Sequence, residues 1–460
     1  MKVAIIGGGV GGLAAATRLA ILGHRVQIFE ARDDVGGLAS GVQKDGVWFD
    51  GGPYIVLDRP GLEWAFEKLG LDISELRLQR MEDFYEVAPH PASGHPLPAQ
   101  RGEGRGEGVH IYLDLQRTVE AMGAAGPAYR KFVMEMNAIR TRLEPLLRIP
   151  HPNLIELARR GSLGLAPFLL RSLGSVVRKL PREIVDAVTI WTHVAGLSID
   201  AAPSAMAFVP ALTHCVGAFV PAGGMRAIPQ ALAENARRAG VEIQCGKTIH
   251  KIADIECDAV ISNYNGIGTY DELVDVPDRV RERLRAMPLQ SPGLCAYLTA
   301  RSSGGPYLRF RPLTPSLSPQ AGRGWRAAPG EGLQLRVTTK DTVRMIMPFD
   351  RNTSEEEQSS ELQRMLDDPW WRDGLSEVKL LHSRTVRGWG REMHLYRDSM
   401  NLAMTRQMML RGRLPHRSPW IKGLYLAGAS THPGQWVSFC AISGILAAEL
   451  LHADHAAGSI

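Results

Sequence analysis

The stretch that decides the fold is Val3-Ala4-Ile5-Ile6-Gly7-Gly8-Gly9-Val10-Gly11-Gly12. Val3 to Ile6 is a short, fully apolar run, the pattern of a parallel strand buried on both faces. It meets Gly7, Gly9 and Gly12 at the spacing G-x-G-x-x-G. Leu13 to Leu22 reads as an alanine-rich helix ended by Gly23. Arg25 to Phe29 reads as a second strand, with Glu30 at its end. Each piece has a physical reason. Gly7 permits the tight turn, Gly9 lets the backbone approach a pyrophosphate, and Gly12 lets the helix pack close to the strand. The helix N-terminus offers unpaired N–H groups and a partial positive charge to phosphates. Glu30 follows Gly12 at the distance where an acid accepts hydrogen bonds from ribose hydroxyls. A lone glycine motif is weak, but here strand, glycines, helix, strand and acid fall in order.

The rest of the chain sets bounds. Its 460 residues suit two or three structural units. The apolar fraction of 45% and charged fraction of 22% are those of an ordinary globular protein. A net charge of +5 is too mild to point to nucleic acid, and it is compatible with weak attraction to an anionic membrane. Cys215, Cys245, Cys257, Cys295 and Cys440 show no ligand-like spacing and read as reduced thiols. The start does not look like a signal peptide, and no apolar stretch of about 18 residues stands out as a membrane span. The expected location is cytoplasmic, with peripheral contact at the inner membrane face left open.

Beyond Glu30, Ala31-Arg32-Asp33-Asp34-Val35-Gly36-Gly37-Leu38 brings a second Gly-Gly pair, and Phe49-Asp50-Gly51-Gly52-Pro53 follows. This resembles the glutathione-reductase-type FAD fold, in its amine oxidase and phytoene desaturase branch. The resemblance implies that Glu30 to Leu38 crosses the FAD pyrophosphate and ribityl chain. It also implies that Gly52 and Pro53 lie near the flavin. Gly223-Gly224-Met225 before a helix at Ala227 to Arg238, and apolar runs at 241–243, 248–252 and 257–263, match further segments of that fold. The first two runs read as paired strands and the third as a return to the Rossmann sheet. Ile249 is implied on the adenine side. Near the end, Leu424 to Leu426 reads as a strand before Gly428-Ala429-Ser430-Thr431-His432-Pro433-Gly434, with a helix from Ala441 to Leu451. GASTHPG resembles the carotenoid and squalene desaturases, as do Tyr396 to Ser399 and Arg417 to Pro419. There the strand passes the ribityl chain and the helix N-terminus faces the flavin pyrimidine, where it would stabilise negative charge. Gly428, Ala429, Trp436 and Val437 are implied at the cofactor. Trp436 departs from the small residues usual in that branch. It either walls the substrate tunnel beside the flavin or packs under the last helix.

The expected fold is thus α/β, a glutathione-reductase-type FAD-binding Rossmann domain with an interleaved α+β substrate domain. Residues 1–87, 221–270 and 386–460 are assigned to the first, and 88–220 with 271–385 to the second. Within the second, Ala88 to Gly108 and Pro312 to Gly332 read as flexible insertions, rich in Pro, Gly and Arg. Each interrupts a hairpin: Phe84–Val87 with His110–Asp114, and Tyr307–Phe310 with Leu333–Val337. The apolar run Leu163 to Leu170, flanked by arginines, is either a membrane-dipping helix or a buried helix lining an apolar pocket, and the second is favoured.

No Ser-His-Asp set, paired carboxylate or metal-ligand constellation announces itself. That suits chemistry carried by the cofactor, with hydride passing to flavin N5. His432 is the titratable residue inside a cofactor motif and the candidate catalytic residue, with bracing of the turn as its alternative. The expectation is an FAD-dependent oxidoreductase desaturating an apolar polyisoprenoid of carotenoid or squalene type. Rivals are a same-fold saturase, isomerase or dehydroxylase, an amine oxidase, and a non-catalytic flavin- or prenyl-binding protein. An amine oxidase usually carries an acidic residue where this chain has Ala429. No second dinucleotide fingerprint is present, so the electron acceptor is left open.

Overall fold

The computed structural model describes residues 1–88, 108–194, 197–311 and 334–459. Both expected insertions fall on or across residues outside these ranges.

The apolar segments read first build a parallel sheet. β1 (Lys2–Ile6) lies at its centre, with β2 (Arg25–Phe29) and then β3 (Glu242–Gln244) on one side. On the other lie β4 (Ala259–Ser262) and β5 (Leu424–Leu426). Register is continuous across the centre, Val3 facing Ala259 on one side and Val26 on the other. Three helices cover one face: α1 (Val10–Ile21), α2 (Ala227–Arg238) and α3 (Val437–Ala456). α1 and α3 touch closely because a Cβ on Gly444 would strike the backbone of Gly11 and Ala15. α3 is long and apolar enough to cross a bilayer, but most of it is buried against the neighbouring helices and strands, so it acts here as a core helix. It starts four residues before the expected Ala441 and ends five after Leu451.

The expected pairing of 241–243 with 248–252 does not form. β3 pairs in parallel with β2, and 248–252 holds no strand. The reason lies in the edge position. With β2 offering a free edge, Ile243 gains a parallel partner in Ile28, and the chain after Gly246 is left to run along the sheet's end.

A second sheet of seven strands has the order 375–384, 294–302, 342–347, 334–338, 308–311, 83–87, 109–112. Both expected hairpins are present in it, Asp83–Val87 with Val109–Tyr112 and Leu308–Arg311 with Gln334–Thr338. Asp83–Val87 therefore belongs to this sheet and not with the cofactor-binding strands to which residues 1–87 were assigned. Helices from 115 to 215 cover it, around a core that includes Tyr85, Tyr129, Trp191 and Phe310. The stretch 163–170 is not the buried helix favoured from sequence. It forms two short helical turns with no fully buried residue, and Leu163 and Leu170 are 49% and 52% exposed.

Candidate functional site: a cofactor cradle opening into an apolar cavity

A cavity of about 890 Å³ runs between the two sheets. Its walls include Gly7, Gly9, Glu30, Ala31, Arg32, Gly36, Gly37, Leu38, Gly52, Pro53, Ile249, Ala429, Trp436 and Val437. Fourteen residues scattered from position 7 to 437 are thus brought to one surface. Gly12, Gly428 and His432, also expected here, are not part of that lining.

The geometry accounts for each placement. Gly9 precedes α1 without a side-chain cap among the described residues, which leaves the first N–H groups of the helix turned to the cavity wall. Glu30 is buried at the end of β2, where its Oε2 accepts the Gly8 N–H at 2.7 Å and its Oε1 the Arg32 N–H at 2.9 Å. The carboxylate thereby ties the first glycine loop to the second, and Gly36 N–H donates to Gly8 O at 2.8 Å. Gly12 acts behind the wall, since a Cβ there would collide with Gly7 O. Gly428, at φ +83°, has the same role opposite, where a Cβ would strike Asn263.

Asn263 is a residue that sequence reading passed over. It ends the return strand and was given no role. Its Nδ2 donates to Gly7 O at 3.4 Å, and its amide is wedged among Gly9, Gly11 and Gly428. The signal was available, because a polar residue directly after an apolar buried strand sits at the strand's carboxyl end, where ligands bind in such sheets.

Arg344 was also missed. It is buried in the second sheet, and its guanidinium donates to the carbonyls of Asp50, Gly51 and Gly52 at 2.6, 2.9 and 2.7 Å. Tyr307 Oη donates to Tyr54 O at 2.6 Å and Tyr297 Oη to Gly51 O at 3.3 Å. The second sheet thus grips the very segment expected beside the flavin. Asp50 turns its carboxylate the other way, accepting the Met225 N–H at 2.6 Å. Burial raises its pKa, while Arg344 opposes that rise. Asp58 also lines the cavity; burial raises its pKa, and the Ser438 hydroxyl donates to it at 2.9 Å. That bond joins the first turn of α3 to the helix Arg59–Lys68, which Asp58 caps.

His432 does not face the reaction space. Its Nε2 lies 2.9 Å from Leu146 O, and burial depresses its pKa to about 4. A neutral imidazole hydrogen-bonded to a carbonyl braces the turn, the alternative kept for it from sequence. Trp436 is placed at the N-terminus of α3. It lines the cavity and stacks on Phe439, with ring centroids 5.0 Å apart.

Beyond the cradle the cavity wall turns apolar, with Trp191, Met206, Val209, Ile346 and Met404. The dinucleotide end fits FAD on the structure's own terms: helix N–H groups turned to the cavity wall, backbone-only glycine walls that a Cβ would fill, and a buried acid at the end of β2.

Comparison with known proteins agrees. The sequence profile of the flavin containing amine oxidoreductase family matches residues 10–271. The zeta-carotene-forming phytoene desaturase of Myxococcus xanthus is 29% identical over 320 residues, 65% of this chain and 60% of that protein. A 4,4'-diapophytoene desaturase of Staphylococcus aureus (strain MRSA252) is 28% identical over 260 residues, 55% of this chain and 49% of its own. The matches thus span about half to three fifths of those relatives. An oxidoreductase from Methanosarcina mazei has the same fold at a TM-score of 0.65 and 16% identity, covering 98% of this chain and all of that one.

Proposed function

Because the chain belongs to the flavin containing amine oxidoreductases and is an FAD-dependent oxidoreductase, we propose that it removes hydrogen from an apolar polyisoprenoid, forming a carbon–carbon double bond. The observation that carries this reading is the continuity of one cavity, from the glycine cradle to a wall of Trp191, Met206, Val209, Ile346 and Met404. Curated relatives named as phytoene and diapophytoene desaturases support it.

Bound FAD would supply the hydride acceptor. The protein's part is to bind, orient and exclude water. Gly7, Gly9 and the first turn of α1 would hold the pyrophosphate. Glu30 would take the ribose hydroxyls, and Ile249 would pack on the adenine side. Arg344, gripping three successive carbonyls, holds the segment of Gly52 and Pro53 that would lie against the flavin. Trp436 and Val437 close the cavity at the N-terminus of α3. An isoprenoid C–H bond brings no ionisable group to the reacting carbon, so orientation and desolvation are what this apolar wall contributes.

We further propose that the protein works from the cytoplasm at the membrane that dissolves its substrate. Leu154, Ile155, Leu163 and Leu170 are exposed together with Met409 and Leu410. Arg171, Arg406 and Arg411 lie among them in sequence, and Arg406 Nε donates to Leu170 O at 2.7 Å, joining the two segments. Exposed apolar side chains with arginines beside them in sequence suit an anionic bilayer. The patch also connects to the cavity. Phe168 stacks on Phe208 and its carbonyl accepts from Ser204, on the helical turn Ser204–Phe208 that carries Met206.

Incubation of the FAD-loaded protein with polyisoprenoids in liposomes and a quinone acceptor, followed by mass spectrometry, tests the activity. A product two hydrogens lighter is expected. Turnover of amines and of no isoprenoid would replace this reading with an amine oxidase.

A further inference from the structure

Gln290 and Asn401 occupy a short antiparallel ribbon, Leu289–Gln290 paired with Asn401–Leu402. Directly opposed residues in such a ribbon project from the same face, and successive residues from opposite faces. Leu289 and Leu402 therefore form one pair, and they pack into the core on the face of the first sheet opposite α1, α2 and α3, with Tyr270, Leu284 and Tyr396. Gln290 and Asn401 form the other, and both line the cavity. They are only 7% and 6% exposed. The ribbon's backbone is tied down, with Met400 N–H donating to Gln290 O at 3.0 Å and Ala403 N–H to Pro288 O at 2.9 Å.

The two side-chain amides, by contrast, have no hydrogen-bond partner among the described residues, and Oε1 of Gln290 and Oδ1 of Asn401 are buried and unpaired. Each amide carries both a donor and an acceptor whichever way it is turned. Burying one such group unpaired is costly, and two side by side double the cost. A pure hydrocarbon lying against this pair would leave both unsatisfied. A neutral group that both donates and accepts would satisfy them, and the pair has no net charge with which to select an ion.

Resting on the isoprenoid reading above, we infer that Gln290 and Asn401 form a polar subsite that takes a hydroxyl group on an otherwise apolar substrate. The pyrimidine edge of a flavin presents the same donor–acceptor chemistry. The first turn of α3 would serve such an edge, since Val437 and Ser438 meet the cavity there and no side chain among the described residues caps the helix N–H groups. The amide pair is thus left for the substrate, and this protein's preferred isoprenoid is an alcohol.

The test is a binding titration of the FAD-loaded protein, read by flavin fluorescence, with geranylgeraniol and with its deoxy hydrocarbon in matched liposomes. The wild type is expected to bind the alcohol about tenfold more tightly. Gln290→Met and Asn401→Leu, singly and together, are expected to erase that preference while FAD content and the flavin spectrum stay as in the wild type. Equal binding of alcohol and hydrocarbon by the wild type overturns the subsite and leaves the isoprenoid reading standing. Binding of neither overturns both. Loss of FAD or a shifted flavin spectrum in the variants, without a wild-type preference for the alcohol, assigns the amides to the flavin and overturns the inference.

Discussion

At the scale of single residues, the cradle depends on which atoms are missing as much as on which are present. Asn263 shows this. Its amide fills the space left by three absent side chains, at Gly9, Gly11 and Gly428, and bonds to Gly7 O. Asn263→Leu keeps the size but removes the donor and sets a branched carbon against those glycines. FAD affinity should fall by about tenfold or more, the worth of a lost hydrogen bond plus overpacking. Equilibrium dialysis of the apoprotein with FAD measures it. The glycines and Glu30 were legible in sequence because their order is dictated by one local unit of strand, turn and helix. Asn263 was marked in sequence only by its place, a polar residue directly after an apolar strand, and its contacts appear only when β4 is laid beside β1, 256 residues apart in sequence. His432 misled for a related reason. Its motif placed it near the cofactor, but which way the ring turns is decided by the carbonyl of Leu146, 286 residues away.

At the scale of elements, the link between the two sheets is concentrated in the segment 50–54. Arg344 alone satisfies three of its carbonyls. Arg344→Met should lower stability by about 3 kcal/mol, the cost of leaving buried acceptors unpaired and Asp50 without its nearby cation. Urea denaturation followed by far-UV circular dichroism reads this directly. The second elemental prediction concerns the exposed turns at 163–170. Leu163→Asp and Leu170→Asp change stability by no more than about 0.5 kcal/mol, because neither side chain is buried. Flotation with anionic liposomes should nonetheless fall by about tenfold. Hydropathy in sequence found these apolar residues, but it could not say whether their partner was protein or solvent. The same limit applies to 248–252. A β-like composition shows that a segment can pair, while the free edge of β2 decided which segment did.

At the scale of the whole molecule, two cores are joined across one cavity, and several buried imidazoles are held neutral in the process. Burial depresses His214, His416 and His432 each to about 4, against an ordinary value of 6.5. The unfolded chain therefore binds more protons below pH 6.5, so their contribution to stability is complete above that pH. It is lost progressively as pH falls toward 4, by roughly 2–3 kcal/mol for each group. Denaturation midpoints measured from pH 7 to 4 should drop over that window, and His416→Gln should shallow the slope. The interleaved architecture was readable because β1, β2, β4 and β5 each carry an apolar signature, even where long segments separate them, while β3, Glu242-Ile243-Gln244, carries none. The cavity's polar pair at Gln290 and Asn401 was not, since two ordinary amides become a feature only when a ribbon brings them face to face.

The central claim is that one cavity brings FAD and an isoprenoid together for hydride transfer. Anaerobic mixing of the FAD-loaded protein with a polyisoprenoid in liposomes, monitored by absorbance in a stopped-flow cell, tests it most directly. Bleaching of the oxidised-flavin band in step with the appearance of a new double bond is the predicted result. A flavin that stays oxidised with every polyisoprenoid offered, yet bleaches with an amine, would contradict it.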